Sequence, residues 1–365
     1  MKSSAFRPSP RRGPGLKAAQ STAILAHALA NEPKGAAMLK FLVRRLGALI
    51  PLLILVSIVS FVIIQLPPGD YVDSYIRNLE LQGGSLNDAQ KLALQRQYGL
   101  DQPLIVQYGV WISKIVLHGD FGNSFRYQRP VADLLGERVP RTIALSLASI
   151  ALTWVIAIPI GILSALKKYS VWDYFFTFLS FLGLSIPAFL LALVLMYVVF
   201  SRTGYLVTGL FSDEFRNAAW SMAKFVDMLK NIWLPLVVLA VTGAAGLIRI
   251  LRATLLDELK KQYVTTARAK GLPEWRVILL YPIRIAINPI ISTIGWMLPG
   301  VVGGELVVSK VLNIPTVGPM ILDATLGQDM YLAGAFVLIL CTLTIIGTLI
   351  SDILLAWADP RIRFE

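Results

Sequence analysis

The sequence predicts an all-α, polytopic membrane protein with six transmembrane helices, and two observations point to that class. Of the 365 residues, 56% are hydrophobic and only 15% are charged, with a mean hydropathy of +0.66, whereas soluble domains carry about 25% charged residues. The apolar residues also gather into six long runs. A run of about 20 apolar residues is enough to cross the hydrocarbon core of a bilayer as a helix.

The N-terminal segment precedes these runs. Residues 1–37 contain six basic residues and one acidic residue, together with several prolines and serines. A segment of this composition cannot bury enough apolar surface to fold alone, so we expect residues 1–37 to form a disordered basic extension. An organelle transit peptide and translated upstream sequence are both compatible with it. The second is favoured because Met38 would open the next element as a natural start.

The first transmembrane helix is predicted within residues 38–66, where Leu46 to Leu66 form a charge-free run of 21 residues. A cleaved signal peptide is the alternative, since Arg44 and Arg45 provide a positive flank. The apolar core of a signal peptide is usually only about 7–15 residues long, which favours the membrane span.

Residues 67–141 are mixed in character and are predicted to form an outer, periplasmic loop region. The spacing of their apolar residues predicts two short helices, Ser85–Tyr98 and Pro103–Leu117. His118 and Asp120 are too few to ligate a metal ion, and a loop hydrogen bond is the favoured role for this pair. We therefore expect no metal site in the chain.

Five further spans occupy residues 142–358, and the charges between them predict their orientation. The apolar runs are Thr142–Leu166, Tyr174–Phe200, Trp233–Ile250, Ala286–Val308 and Leu332–Trp357. Eight basic and three acidic residues lie in 249–285, and the tail 359–365 carries two arginines. By the positive-inside rule, these segments and both termini lie in the cytoplasm.

Prolines and glycines inside the spans mark candidate positions along a transport pathway. Pro159 and Gly161 are expected to interrupt the second span. The pathway candidates are Pro187 in the third span and Gly295, Pro299, Gly300 and Gly304 in the fifth. Helix breakers are tolerated in lipid where neighbouring protein or a water-filled cavity satisfies the released backbone groups. Plain helix packing explains any one of them, but their concentration predicts that the fifth span lines the path and moves.

A polar, basic segment from Tyr263 to Pro289 separates the fourth and fifth spans. Thr266, Ala267 and Lys270 fall on one face of a short helix, and Gly271 ends that helix where the chain must reverse. A second amphipathic helix is predicted over Glu274–Arg284. So compact an element between two spans indicates a docking surface, and a solvated basic loop is the alternative.

At these residues the sequence resembles the EAA loop of ATP-binding-cassette importer permeases, in their dipeptide, oligopeptide and nickel branch. The letters TARAKGL at 266–272 are typical of that branch, and similar stretches are YGLDQPL at 98–104, HGDFGNSF at 118–125 and DPRIR at 359–363. The resemblance covers residues 38–365. The sequence departs from the wider family pattern at 281–284, where Tyr-Pro-Ile-Arg replaces Ile-x-Leu-Pro.

The resemblance implies a type I importer fold, similar to that of MetI, in a permease subunit with a cytoplasmic coupling loop at 253–285. It implies that an ATPase partner contacts Thr265, Thr266, Ala267, Arg268, Lys270, Gly271, Glu274 and Arg276. The charged members of this set would fix the register of docking, while Ala267 and Gly271 would permit close approach.

The resemblance also implies partners and a substrate class. The expected partners are a second, homologous permease subunit, two ATP-binding-cassette ATPases and an extracytoplasmic solute-binding protein. The expected place is the bacterial inner membrane, and the expected solutes are di- or oligopeptides. Oligosaccharides and nickel remain alternatives within the same family.

Catalysis by this chain has little support in the sequence. It contains no phosphate-binding G-x-x-x-x-G-K motif and no Gly-Lys pair, so ATP is expected to be hydrolysed by partner subunits, and no cofactor is expected here. With two histidines and no nucleophile–base motif, the chain is not expected to be an enzyme. An intramembrane enzyme would need a polar catalytic pair within the bilayer, and none is visible.

The remaining classes are weakened by where the charges lie. An ion-coupled carrier is expected to place ionisable residues along the middle of the bilayer, and the spans contain none there. The net charge of +12 is concentrated in the N-terminal tail and in loops flanking the spans. Attraction to anionic lipid and control of topology explain this excess without a nucleic-acid partner.

Overall fold

The computed structural model describes residues 34–65, 87, 89–90, 93, 96, 102–124, 126–216, 218–327 and 329–358, without the side chains of 34–42, 294–305 and 356–358. The chain divides into two units, residues 1–50 with 363–365 and residues 51–362. In the first unit the described residues form the beginning of one helix. Four of them, residues 34–37, belong to the segment whose composition predicts disorder. The remainder of that segment and the tail 359–365 lie outside the described residues.

The described part of the chain is built of helices, apart from one isolated β-bridge between Asn123 and Pro130. The helices are α1 (Lys34–Gln65), α2 (Leu104–His118), α3 (Val131–Leu166), α4 (Val171–Ser185), α5 (Ala188–Thr203), α6 (Met222–Glu258), α7 (Gln262–Ala269), α8 (Glu274–Leu280), α9 (Pro282–Ala286), α10 (Asn288–Val311), α11 (Val317–Leu326) and α12 (Met330–Ala358). The predicted all-α class is confirmed.

The third predicted span is not one helix. The predicted run Tyr174–Phe200 is divided between α4 and α5, which are bent by 104° relative to each other. The cause is Pro187, which lacks an N–H donor and disfavours helical backbone at the residue before it. Ile186 accordingly takes an extended conformation with φ −86° and ψ 121°, and Pro187 is exposed at the break.

Two other predicted interruptions are absent. Helix α3 continues through Pro159 and Gly161 to Leu166, and the backbone of α10 is helical throughout Asn288–Val311 despite its proline and glycines. At Gly161 the absence of a side chain serves packing, because a Cβ there would lie 3.0 Å from the side chain of Leu251 on α6.

The packing of α3 on α6 gives the relative direction of these two membrane helices. Thr153 lies against Gly243, and eight positions later Gly161 lies against Leu251, so the two helices run in the same direction. The bent pair α4–α5 must therefore carry the chain back between them. Among the described residues, five helical stretches are long and apolar enough to cross a membrane, or six when the bent pair is counted as one span.

The fifth crossing belongs to α10. The apolar stretch Glu274–Thr293 that precedes and enters it is divided among α8, α9 and the first residues of α10. At one end of α10, Ile290 packs in a cluster with Leu251 and Leu255 of α6. At its other end Val308 packs with Leu234, so α10 runs antiparallel to α6.

We call the end of the molecule where α3, α6 and α12 finish the hairpin end, because α7, α8 and α9 lie there, and the opposite end the far end. Two hydrophobic clusters near the far end hold α3, α5, α6, α10, α11 and α12 together. At the hairpin end, a third cluster joins α3 and α6 to α9 and the start of α10.

The region between α1 and α3 contains one well-described helix. The predicted helix Pro103–Leu117 is confirmed by α2, whose Trp111 packs with Phe61 of α1 and Leu338 of α12. The predicted helix Ser85–Tyr98 lies largely outside the described residues. Asn87 and Gln90 exchange two hydrogen bonds of 3.0 and 2.8 Å between side chain and backbone. This capping-box pattern is typical of the N-terminus of a helix.

Candidate functional site

The segment between α6 and α10 folds into a helical hairpin formed by α7 and α8 and joined to the spans by α9. The turn between α7 and α8 is made by Gly271, whose φ is +74° and whose N–H donates to the carbonyl oxygen of Arg268 over 2.9 Å. Glycine adopts this left-handed conformation more readily than residues with a Cβ. The predicted reversal of the chain at Gly271 is confirmed.

The hairpin has a small hydrophobic core of its own. Val264 and Ala267 of α7 and Val277 of α8 are buried together, with Tyr263 and Leu272 packed at the edge. Ala267 is thus an internal residue, and the expectation that it leaves room for a partner is corrected. Its small size lets α7 approach α8 closely. Apart from Gly271 and its two neighbours in the chain, no described residue has an atom within 4 Å of a Cβ built on Gly271, so within the described chain the glycine is required by its φ angle alone.

An ion pair closes the turn from the outside. The Arg268 guanidinium donates to both carboxylate oxygens of Glu274, with a shortest distance of 2.6 Å. This bond holds the pKa of the Glu274 carboxyl below its usual value. Both side chains are about half exposed, so solvent screens the pair and it contributes little to stability. Its effect is to fix the geometry of two charges on the surface of the hairpin.

The other predicted docking residues are brought together on the surface. Those exposed are Thr265, Thr266, Arg268, Lys270, Gly271, Glu274 and Arg276. The Arg276 guanidinium lies 5.1 Å from the ring centre of Trp275, which is 60% exposed, and Leu279 and Leu280 of α8 are similarly exposed. Apolar side chains left exposed among charges are typical of a contact surface.

Sequence reasoning missed Trp275 and Leu279 as candidate contacts. A signal existed, because residues four positions apart lie on one face of a helix. The buried Val277 faces α7, whereas Trp275 and Leu279 lie outside the hairpin core and are exposed.

Three links tie the hairpin to the spans. The Tyr263 hydroxyl donates a hydrogen bond to Glu258 at the end of α6, and burial together with this bond raises the pKa of Tyr263. The Thr254 hydroxyl donates to the carbonyl oxygen of Ala286 over 3.3 Å. Ile283 and Ala286 of α9 are buried against α6 in the cluster at the hairpin end. These contacts connect the hairpin and α9 to the end of α6 and to the start of α10.

A buried ion pair braces the same end of the molecule, and sequence reasoning missed it. Asp173 at the start of α4 accepts two 2.7 Å hydrogen bonds from Arg252 near the end of α6, and its side chain is only 2% exposed. Ser170 caps α4 by accepting from the Asp173 N–H. The spacing Ser-x-x-Asp is a helix-start signature, which was available in the sequence, but its arginine partner 79 positions away was not.

Of the predicted pathway residues, only Pro187 has a described side chain. Pro187 lies at the exposed bend between α4 and α5. Gly295, Pro299, Gly300 and Gly304 lie on α10, and their surroundings lie outside the described residues. Their assignment to a pathway stays a prediction.

Within the described residues, up to six apolar spans and an exposed, internally packed hairpin at one end define a multi-pass membrane protein. Residues 157–364 match the family described as binding-protein-dependent transport system inner membrane component, and residues 38–146 match the N-terminal region of such membrane components. The chain belongs to this family. It is a transmembrane permease subunit of an ATP-binding-cassette importer, as the resemblance of the hairpin segment implied.

Relatives of known name support the same assignment. The chain is 37% identical over 328 residues to the oligopeptide transport system permease protein AppB of Bacillus subtilis, covering 90% of this chain and 100% of that protein. It is 31% identical over 335 residues to the oligopeptide transport system permease protein OppB of Haemophilus influenzae, with 90% and 100% covered. A chain of the MetNI methionine ABC transporter in inward facing conformations matches with a TM-score of 0.48 and 16% identity, over 62% of this chain and 96% of that one.

Proposed function

We propose that this chain forms half of the translocation path of a peptide importer and that its α7–α8 hairpin receives the motion of an ATPase subunit. The observation that carries the proposal is the hairpin itself. It exposes charged and aromatic side chains outward while its inner face is packed and bonded to α6 and α9.

The coupling follows from these contacts. A partner that grips the exposed face of α7 and α8 moves the hairpin as one body, because Val264, Ala267 and Val277 pack it internally. The bonds at Tyr263 and Thr254 and the apolar cluster at the hairpin end then pass that motion to α6 and α10. Packed interfaces of this kind respond by switching between discrete arrangements.

The partners and orientation complete the proposal. A second, homologous permease supplies the other half of the path, two ATPases hydrolyse ATP below the pair, and a solute-binding protein delivers the solute at the far end. This chain itself binds no ATP and catalyses no reaction. The hairpin end and both termini face the cytoplasm, as the basic residues of 249–285 favour under the positive-inside rule.

Peptides are the favoured solutes because two relatives of nearly full coverage are named as oligopeptide permeases. Oligosaccharide and nickel transport are the competing substrates. Uptake of radiolabelled tetra-alanine, a labelled tetrasaccharide and Ni²⁺ into vesicles with the complete transporter separates them. ATP-dependent uptake of the saccharide or the metal without the peptide would overturn the proposed substrate.

The coupling role is tested by two changes of the hairpin. Deletion of residues 263–276 is expected to abolish ATP-dependent uptake while membrane insertion continues. The double substitution Arg268→Glu with Glu274→Arg keeps an ion pair across the turn but reverses both exposed charges. We expect it to weaken co-purification of the ATPase, whereas the reversal would leave binding unchanged if the segment were only a solvated loop.

A further inference from the structure

The far end of the molecule contains a basic cavity that the coupling mechanism does not use. It has a volume of about 500 Å³ and is lined by the start of α3, the loop between α5 and α6, the end of α10, and α11. Its charged lining residues are Arg138, Arg141, Arg216, Lys310 and Asp323. Ligand pockets typically have volumes of about 300–1,000 Å³, so this cavity is large enough to hold part of a small solute.

The positive charges of the cavity are only partly neutralised by the chain. Lys310 pairs with Asp323 over 2.9 Å, and Arg216 pairs with Asp213 over 2.9 Å. Among the described residues, Arg138 and Arg141 form no ion pair, and they lie three residues apart on α3, where side chains are neighbours. Two adjacent guanidinium groups thus face one cavity, and no carboxylate of the described residues forms an ion pair with either of them.

Arg138 adds a second sign that something is bound. Its Nε atom is buried and has no hydrogen-bond partner in the part of the chain that the structure describes. A buried donor without a partner is costly, so such groups are rare unless a ligand or water satisfies them. Arginine presents its donors in a fixed planar fork that matches a carboxylate.

We infer that this cavity binds the carboxylate of the transported solute, with Arg138 and Arg141 as its ligands. The inference rests on the proposed function, because every peptide with a free C-terminus carries such a group and enters at the far end. Apolar lining by Phe211, Ile314 and Met320 leaves the adjoining space tolerant of different side chains.

The location of the site also explains release. Arg138 and Arg141 belong to α3, whereas Lys310 belongs to α10, which follows the hairpin through the short helix α9. A shift of α10 against α3 moves one wall of the cavity relative to the two arginines and therefore changes the fit of a bound carboxylate. Binding at the far end and movement at the hairpin end are coupled through one helix.

The test compares tetra-alanine with its C-terminal amide in the complete transporter, reconstituted in zwitterionic lipid so that no anionic headgroup competes. In the double variant Arg138→Gln, Arg141→Gln, uptake of tetra-alanine at low concentration is expected to fall about tenfold, because charge-assisted hydrogen bonds are lost. Uptake of the amide should be unaffected. The matched control is Arg202→Gln, an exposed arginine that ends α5 outside the cavity, and it should leave both rates unchanged.

An equal loss for both peptides would overturn the inference and indicate docking of the binding protein or a structural role. No loss for either peptide would overturn it as well. Failure of the unmodified transporter to take up either peptide would instead refute the proposed substrate, and a second measurement then judges the cavity. In a Cys341→Ser background, Pro319→Cys in the lining is labelled with anionic and cationic thiosulfonate reagents. The ratio of the labelling rates of the anionic and cationic reagents should fall about tenfold in the double arginine variant, because local positive charge attracts the anionic reagent. An unchanged ratio would contradict the proposed site.

Discussion

Gly271 shows how one residue serves the hairpin through its backbone alone. Its φ of +74° is strained for most residues with a Cβ, yet the surrounding space within the chain is open. The effect of a substitution there therefore separates two causes. Backbone strain depends on the residue's preference for left-handed conformation, whereas crowding against a partner depends on the size of the side chain.

We expect Gly271→Val to leave membrane levels of the subunit normal, because the spans pack elsewhere. The β-branched residue should add about 1–3 kcal/mol of local strain, which distorts the turn and displaces the docking surface. Co-purification of the ATPase should be weak and uptake close to background. Gly271→Asn is the control, since asparagine tolerates positive φ, and it should retain more coupling. Normal coupling in the valine variant would contradict the assigned role of the turn.

At the same scale, the ion pair between Asp173 and Arg252 joins the start of α4 to the end of α6. Removal of Arg252 alone leaves a buried carboxylate without its cation, and breaking a buried pair typically costs about 3–5 kcal/mol. Arg252→Gln should therefore lower the thermal unfolding temperature of the purified subunit clearly. Adding Asp173→Asn removes the uncompensated charge and should recover part of that loss. If the double variant is as unstable as the sum of the single variants, the two residues do not interact as the structure shows.

At the scale of the element, the hairpin is a miniature core attached to two spans. Val277 is fully buried between α7 and α8, whereas Leu279, two residues further on, is 54% exposed. The two residues thus test the inner and outer faces of one short helix.

Val277→Ala should destabilise the packing of the hairpin by about 1–3 kcal/mol, by the usual scale for truncating buried aliphatic side chains. Limited proteolysis within 259–287 is expected to accelerate. Leu279→Ala should leave proteolysis unchanged because it opens no internal cavity, but it should weaken binding of the ATPase. Equal proteolysis rates in the two variants would show that the hairpin is not held by this core.

On the scale of the whole molecule, the count of crossings decides which ends share a side of the membrane. The parallel packing of α3 and α6 requires the bent pair α4–α5 to cross once. α12 also finishes at the hairpin end, where the Ser351 hydroxyl donates to the carbonyl oxygen of Ile291 over 3.0 Å. The C-terminus and the hairpin should therefore lie on the same side.

Reporter fusions after Phe364 test this arrangement together with the positive-inside rule. If the C-terminus faces the cytoplasm as proposed, an alkaline phosphatase fusion is expected to be inactive and a green fluorescent protein fusion to be fluorescent. A fusion within the loop between α5 and α6 should behave in the opposite way. Phosphatase activity at the C-terminus would require an odd number of crossings or an inverted molecule.

Several features of this protein could be determined from the sequence because they depend on local composition and spacing. Long apolar runs predict membrane helices regardless of their neighbours, and the Gly271 reversal follows from a glycine and a proline placed after a short amphipathic helix. The membership of the permease family also followed from local motifs, since TARAKGL and DPRIR are contiguous.

Tertiary structure alone decided the features that depend on residues distant in sequence. Gly161 suggested a broken helix, but its role depends on Leu251 of another span. Ala267 suggested room for a partner, but Val277 already occupies that space. The basic cavity collects Arg138, Arg216 and Lys310 from separate elements. Periodicity describes which face of a helix is apolar, whereas the identity of what covers that face is fixed only when the helices pack.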